Sequence, residues 1–404
     1  MLASKTRKGT RTAHFSLGLI CLTTLVLVTG DVSATPHSLK ARFQSELDRI
    51  VAQYELPGAT AAYTLADGTT VAVAAGLADV ATEQPMQPDS RMLAASIGKT
   101  FVGAVMLSLD QEGRLDLDDH LSLWLGDKPW FSRLPNHDAI TLRQLLRHES
   151  GLPDHVKIAA FPSAWQQRRQ DGDTPFEPEE LIAFVLDQSP LFPAGDAWSY
   201  SDTGYLLLGL VIEAASGCTY YATVTDRFLT PLGLEATRPQ DHLELPGLAT
   251  GYVSQDNELG LPPATTRSPG VLAWHPGLEW TGGGLVSNSG DLARWAWVLF
   301  SGRGLQEPYL EELLQGRPID THPNGPRYGL GVGIHPQGLL GPTWGHGGWI
   351  PGYVSNLRYY PDRGIAVAFQ VNTDIGMIGS ADRIGEDMET RLARIVLSFE
   401  NDED

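Results

Sequence analysis

Strand-forming sequence is concentrated at the two ends of this 404-residue chain, and that placement constrains the fold more than any other feature. Near the start, residues 59–65 and 69–76 are rich in Ala, Val and Thr and flank Ala66-Asp67-Gly68, which reads as a hairpin turn. Near the end, Tyr353–Tyr360 and Ile365–Val371 are strand-like and joined through Pro361-Asp362-Arg363-Gly364. Strands linked by turns this short pair antiparallel, because a parallel pair needs a crossover. Leu39, Phe43, Leu47, Ile50, Val51 and Tyr54 recur at helical spacing, so an amphipathic helix precedes the first hairpin and stops at Pro57-Gly58. A last helix is expected over about 381–399. The middle is mostly helical sequence broken by Pro and Gly, clearest at 142–147, 178–186 and 205–215. The simplest solution is an α/β (α+β) fold: an antiparallel sheet built from both termini with helices on both faces, plus a mainly helical lobe inserted between.

The first 34 residues read as a secretory signal. Lys5, Arg7, Lys8 and Arg11 form a positive region ahead of a 14-residue apolar stretch, 15–28, too short for a comfortable membrane span. Val32-Ser33-Ala34 offers small residues for cleavage; an uncleaved anchor is the alternative. Cys21 lies inside the apolar run, so lipid attachment there is not expected. Residues 35–404 are then expected to form one two-lobed catalytic domain, exported to a periplasm or secreted, with no stable membrane association. Losing the leader removes four Lys/Arg and one acid and leaves a net charge of −22. So acidic a body repels phosphate backbones, which argues against nucleic acid as a partner. Only Cys218 remains, so no internal disulfide can form. With 42% hydrophobic residues, the chain can be held by its core.

Ser96-Ile97-Gly98-Lys99 opens an apolar run that continues to Leu109 and stops at Gly113, the pattern of a helix buried on most of its surface. Residues 96 and 99 share one face of such a helix, a single turn apart. A buried lysine is costly without a partner or a task. A serine hydroxyl needs a neighbour to take its proton, a helix N-terminus supplies a backbone N–H for a developing oxyanion, and a desolvated amine can join the proton transfer. Alone, the motif is common and mostly structural. Tyr200-Ser201-Asp202 precedes a helical stretch, where Asp202 or Thr203 could simply be an N-cap. His346-Gly347-Gly348 sits in the Gly-rich segment 344–352, where glycine permits a strand edge to lie against a bound peptide, or merely allows a bend.

Together, and in this order, the three elements resemble the serine β-lactamases and penicillin-binding proteins, specifically the class C-like branch of D-alanyl-D-alanine carboxypeptidases, D-aminopeptidases and esterases. Supporting phrases match as well, among them Leu56-Pro-Gly58, residues 140–152 (ITLRQLLRHESGL), Pro231-Leu-Gly233 and Gly282-Gly-Gly-Leu285. The resemblance covers essentially all of the chain after the leader and implies a β-lactamase/transpeptidase-like fold with no cofactor and no metal. It implies Ser96 as the acylated nucleophile, Lys99 and Tyr200 sharing acid–base work, and His346 and Gly348 lining a substrate strand. The backbone N–H groups of Ser96 and Trp349 would hold the oxyanion. The implied substrate is a small molecule or peptide, with a D-alanyl-D-alanine carboxypeptidase-like activity ranked first and esterase or β-lactamase action as alternatives.

Two departures bear on this. Asp202 stands where relatives carry Asn, and an ionised Asp can only accept hydrogen bonds; it is expected to pair with Lys99, keep it protonated and shift base work to Tyr200. His346 stands where many relatives have Lys, and a mostly neutral imidazole attracts a substrate carboxylate poorly, which lowers the rank of β-lactam hydrolysis. His148-Glu149-Ser150-Gly151 is expected to be structural. The chain has no Gly-x-Ser-x-Gly elbow and no His-Glu-x-x-His pair, so an α/β-hydrolase and a zinc enzyme are disfavoured. The rival of another class is a non-catalytic protein that binds cell-wall peptides on the same fold.

Overall fold

The computed structural model describes residues 38–257, 259–305, 307–377 and 383–399. The leader reading and the first two residues of the last expected helix lie outside these. Residues from Ser38 onward belong to one unit.

Its frame is a nine-stranded antiparallel sheet. The strands are β1 (Gly58–Thr64), β2 (Thr70–Asp79), β3 (Gln84–Pro85), β4 (Arg317–Pro318), β5 (Arg327–Tyr328), β6 (Gly333–His335), β7 (Thr343–Ile350), β8 (Tyr353–Tyr360) and β9 (Ile365–Val371). They are ordered β3-β2-β1-β9-β8-β7-β6-β5-β4, so the two ends of the chain meet at the centre, with Ala59 opposite Val371 and Thr64 opposite Ala366. The first hairpin closes where expected. Thr64 faces Thr70, and the turn holds because Gly68 adopts φ +90° while Asp67 accepts from the Thr69 N–H.

β1 and β9 are buried at every position, because helices cover both faces. Alternation assigns the residues. Ala59, Ala61, Tyr63, Val367 and Phe369 face a layer made by α1 (Leu39–Gln53) and the last helix, α5 (Ile384–Phe399). Ala62, Ala366 and Ala368 face the larger core, which contains α2 (Gly98–Gln111), α3 (Asp202–Ser216) and α4 (Ser289–Phe300). Ser38 caps α1, whose Phe43, Leu47 and Ile50 pack against Met388, Leu392 and Val396 of α5. α2 is buried through its first ten residues, and its Phe101 stacks on Trp295 of α4 at 4.0 Å between ring centres.

The helical lobe contains the expected segments as Leu142–Leu146, Pro178–Ile182 and α3. Among the described residues, no single helix is long and apolar enough to cross a membrane. The resemblance placed His346 and Gly348 on a strand, and β7 is that strand; the strands β3 to β6 and a small sheet of Met92–Leu93, Leu285–Ser287 and Arg238–Pro239 went unpredicted. The small sheet positions the candidate nucleophile, since it delivers the chain to Ala94 and Ser96.

Candidate active site

Ser96 lies in a 3₁₀ turn, Ala95–Ile97, that runs directly into α2. Ala95 has φ +50°, a left-handed conformation that a residue with a side chain adopts only when its surroundings enforce it. Enforcement comes from β7. At Gly348 a Cβ would run into the Ala94 carbonyl and Ser355 Oγ, so strand and turn approach closely only because glycine is there. Ser355 Oγ also donates to the Ala94 carbonyl at 2.7 Å. The register of β6 with β7 ends at Gly345, which leaves the edge of β7 from His346 to Ile350 unpaired by β6 and facing the Ser96 turn.

Lys99, one turn into the helix, is 0% exposed. Its Nζ donates to Ser96 Oγ at 3.2 Å and to the Gly282 carbonyl, and pairs with Asp202 Oδ1 at 2.5 Å. The rings of Tyr200 and Tyr205 lie 5.0 and 5.2 Å from it. Burial alone would lower the pKa of this ammonium, but the Asp202 charge and the polar groups around it outweigh burial and raise it. The Lys99–Asp202 pairing expected from the sequence is present, and it favours the protonated amine.

The Tyr200 hydroxyl is shielded from solvent and makes no direct hydrogen bond of standard geometry. Burial raises its pKa; the Lys99 charge, with Lys99 and Ser96 as the polar side chains beside it, works the other way. Beneath it lies His148, its ring 4.2 Å from that of Tyr200 and 4.7 Å from that of Tyr328. His148 Nδ1 accepts from the Ser201 N–H at 3.2 Å, so the His-Glu-Ser-Gly phrase braces the Tyr-Ser-Asp loop from below. Burial, followed by the Lys99 charge, pushes the His148 pKa well down.

His346 is buried at the other wall. Its Nδ1 lies 2.5 Å from the Gly347 carbonyl, which can only accept, so the proton sits on Nδ1 and the Tyr328 hydroxyl donates to Nε2 at 2.7 Å. Burial, reinforced by Lys99, pushes His346 down to about 3, so the imidazole is neutral. Trp349 is 47% exposed and donates through Nε1 to Asp374. All seven residues singled out in the sequence thus converge, and Ser96, Tyr200, Asp202, His346, Gly348 and Trp349 line one open cleft of about 630 Å³.

Sequence reasoning missed two carboxyls here. Asp154 accepts from the Asp202 N–H at 3.3 Å and is pushed up to about 6 by burial, with Asp202 adding to it. Glu279 accepts from Gln240 Nε2 at 3.0 Å. Neither belongs to a motif, and only the folded chain brings them near Lys99. Among the described residues, no group of three or more His, Cys, Asp or Glu is placed to hold a metal.

A family model described as Beta-lactamase matches residues 43–385. The chain belongs to the beta-lactamase family. Within it, the chain is 26% identical to penicillin-binding protein 4* of Bacillus subtilis over 301 residues, which is 71% of this chain and 62% of that protein. It is 27% identical to a D-aminopeptidase of Brucella anthropi over 326 residues, 80% of this chain and 57% of the relative. The chain thus spans about three fifths of the length of these two relatives. A D-stereospecific amidohydrolase from Streptomyces sp. superposes with a TM-score of 0.72 at 30% identity, covering 86% of this chain and 97% of that one. A D-amino acid amidase from Ochrobactrum anthropi SV3 superposes equally well, TM-score 0.72 at 24% identity, over 91% and 99% of the two chains, and shows the shared fold. The split strands predicted a mixed α/β molecule with an antiparallel sheet and helices, the resemblance a β-lactamase/transpeptidase-like fold, and the structure has both.

Proposed function

We propose that this protein is a serine hydrolase that forms an acyl-enzyme on Ser96 and cleaves peptides or amides of D-amino acids. The observation that carries the reading is a serine hydroxyl 3.2 Å from a buried lysine paired with Asp202, beside a tyrosine, at the open end of a buried helix. Because Lys99 holds its proton, the base is Tyr200 as its phenolate, which takes the Ser96 proton as the oxygen attacks and, as the phenol, returns it to the leaving amine. Burial raises the cost of that phenolate, and the Lys99 ammonium offsets part of it. The N–H groups of Ser96 and Trp349 hold the oxyanion, and water then releases the acyl group. The relatives named D-aminopeptidase and D-stereospecific amidohydrolase support an amide substrate of D configuration.

The carboxypeptidase that the sequence ranked first is kept as the second reading. It needs a cation for the terminal carboxylate, and Lys157 and Arg383 line the cleft. They rank it second because they pair with Asp154 and Glu386, while His346 is neutral. Export to a periplasm or medium, through the leader, belongs to the same proposal.

Incubation with a fluorophosphonate or a fluorescent penicillin, followed by intact mass, tests the reading. One adduct on wild type and none on Ser96→Ala is the expected result. An unlabelled wild type, under conditions that label a related enzyme, favours the non-catalytic binder. Rates on a D-amino-acid amide, a D-alanyl-D-alanine peptide, a p-nitrophenyl ester and a cephalosporin then rank the substrate classes.

A further inference from the structure

Beside the Ser96 cleft lies a second, narrower pocket of about 270 Å³. Asp202, Val156, Lys157 and Trp349 border both cavities and so form its mouth. Its inner wall is Phe161, Trp165, Leu259 and Leu278, apolar and aromatic. Set into that wall are two polar groups, Glu279 and His155. The volume lies below that of pockets built for drug-sized ligands, so the pocket takes one side chain. We propose that it selects acyl groups carrying a long apolar chain tipped with an ammonium, the side chain of a basic D-residue of the lysine or ornithine kind. The proposal rests on the reading of Ser96 as the acylated residue, because the mouth opens on that cleft.

Charge balance favours a cationic occupant. Of the two carboxylates that border the pocket, Asp202 is neutralised by Lys99 at the mouth. Glu279 has Gln240 Nε2 as its hydrogen-bond partner and no cation paired with it among the described residues. Burial pushes its carboxyl up to about 8, with Lys99 opposing and Asp202 assisting. At neutral pH the carboxyl therefore holds its proton, and an incoming ammonium favours its ionisation and becomes its counter-charge. His155 is 1% exposed, and its Nε2 has no partner. Burial pushes that imidazole down to about 4, so it adds no positive charge. Its Nδ1 lies 3.4 Å from Thr203 Oγ1, and the buried Nε2 adds an unpaired polar atom behind this wall.

The apolar walls suit the methylene stem, as they do for any buried lysine whose head alone is polar. A purely apolar occupant would fill the walls but leave Glu279 protonated and gain no ion pair from it, whereas an ammonium gains one. Lys157, the cation at the mouth, is 68% exposed and paired with Asp154 at 3.6 Å, so it does not neutralise Glu279.

The test compares kcat/KM for the p-nitroanilides of D-lysine, D-norleucine, D-phenylalanine and D-alanine. D-Norleucine differs from D-lysine in having a methyl where the ammonium stands, and a site built to bond a polar group discriminates strongly against the analogue lacking it. Wild type is expected to favour D-lysine over D-norleucine by at least about tenfold, and Glu279→Gln to bring that ratio close to one. A wild type that prefers D-norleucine or D-phenylalanine overturns the proposal. So does a Glu279→Gln protein that folds and keeps the wild-type ratio. If that variant fails to fold, the wild-type ratio decides alone. Fluorophosphonate labelling of the same samples separates the layers: labelled enzyme without a lysine preference sinks only the basic-residue pocket, whereas neither label nor turnover sinks the acyl-enzyme reading with it.

Discussion

Lys99 keeps its charge against complete burial because Asp202 stands 2.5 Å away, and the assignment of base work to Tyr200 follows from that one pair. In Asp202→Asn burial loses its main opponent, so the Lys99 pKa falls. The basic limb of kcat/KM against pH is expected to move to lower pH; a limb that stays put would show that Lys99 does not titrate in the reaction. Tyr200→Phe removes the hydroxyl without removing the ring from its stack on His148, and kcat is expected to drop by about 10²–10⁴-fold, the usual worth of a general base. A loss below tenfold would transfer that role elsewhere. Glu279 gives a thermodynamic check at the same scale. Its folded pKa of about 8 stands above its ordinary 4.5, so between those values the folded chain holds a proton that the unfolded chain releases. This contribution is complete below pH 4.5 and is lost as pH rises through 8. Melting temperature should therefore fall more steeply between pH 5 and 8.5 in wild type than in Glu279→Gln, while Asp154 and His155 titrate alike in both and cancel. Parallel curves would mean that Glu279 is already ionised.

The long elements were legible because their patterns are physical requirements. A helix facing a core repeats Leu39, Phe43, Leu47 and Ile50, and a hairpin needs a residue like Gly68 at φ +90°. The short strands β4, β5 and β6, of two or three residues each, carry too few side chains for any period, and only their partners define them. β7 was legible only through the resemblance. Its sequence, Thr-Trp-Gly-His-Gly-Gly-Trp-Ile, has glycine at three of eight positions, since close approach to Ala94 takes precedence over strand propensity there. The site shows the same division: Ser96, Lys99, Tyr200 and His346 sit in recognisable phrases, whereas Asp154 and Glu279 acquire meaning only through their distance from Lys99. Gly348→Ala tests how the β7 element is held. Its methyl must displace either the strand or the Ala94 turn, with an expected cost of about 1–3 kcal/mol in stability. A shift of the Trp349 N–H relative to Ser96 should also lower kcat by about 10²-fold, since geometry this tight tolerates little displacement. Denaturant midpoint and kcat, measured on the same protein, check both; an alanine variant with wild-type values would show that strand and turn have room to spare.

At the scale of the whole molecule, the sheet closes only when sequence from both ends is present. β1 pairs β9 through Ala59–Val371 to Thr64–Ala366, a separation of about 300 residues, so the first hairpin waits for the last. One face of that central pair is covered by α1 and α5, tied together by Arg391, which bonds Glu46 and Gln53 of α1 as well as Asp387 of its own helix. α5 lies in the opposite core layer from Ala95 and Ile97, yet the site depends on it: β8 and β9 form the platform on which β7 is laid against the Ser96 turn. Removing residues 384–404 uncovers Phe43, Leu47, Val367 and Phe369 together, a loss far beyond the few kcal/mol by which domains are stable. The truncated chain should bind a hydrophobic dye, melt without a cooperative transition and lose fluorophosphonate labelling at Ser96. The milder Leu392→Ala should cost about 2–5 kcal/mol while leaving labelling intact below its lowered melting temperature. A truncated protein that still melts cooperatively and labels at Ser96 would mean that the α1–α5 layer is dispensable, and that the helical lobe alone organises the catalytic turn.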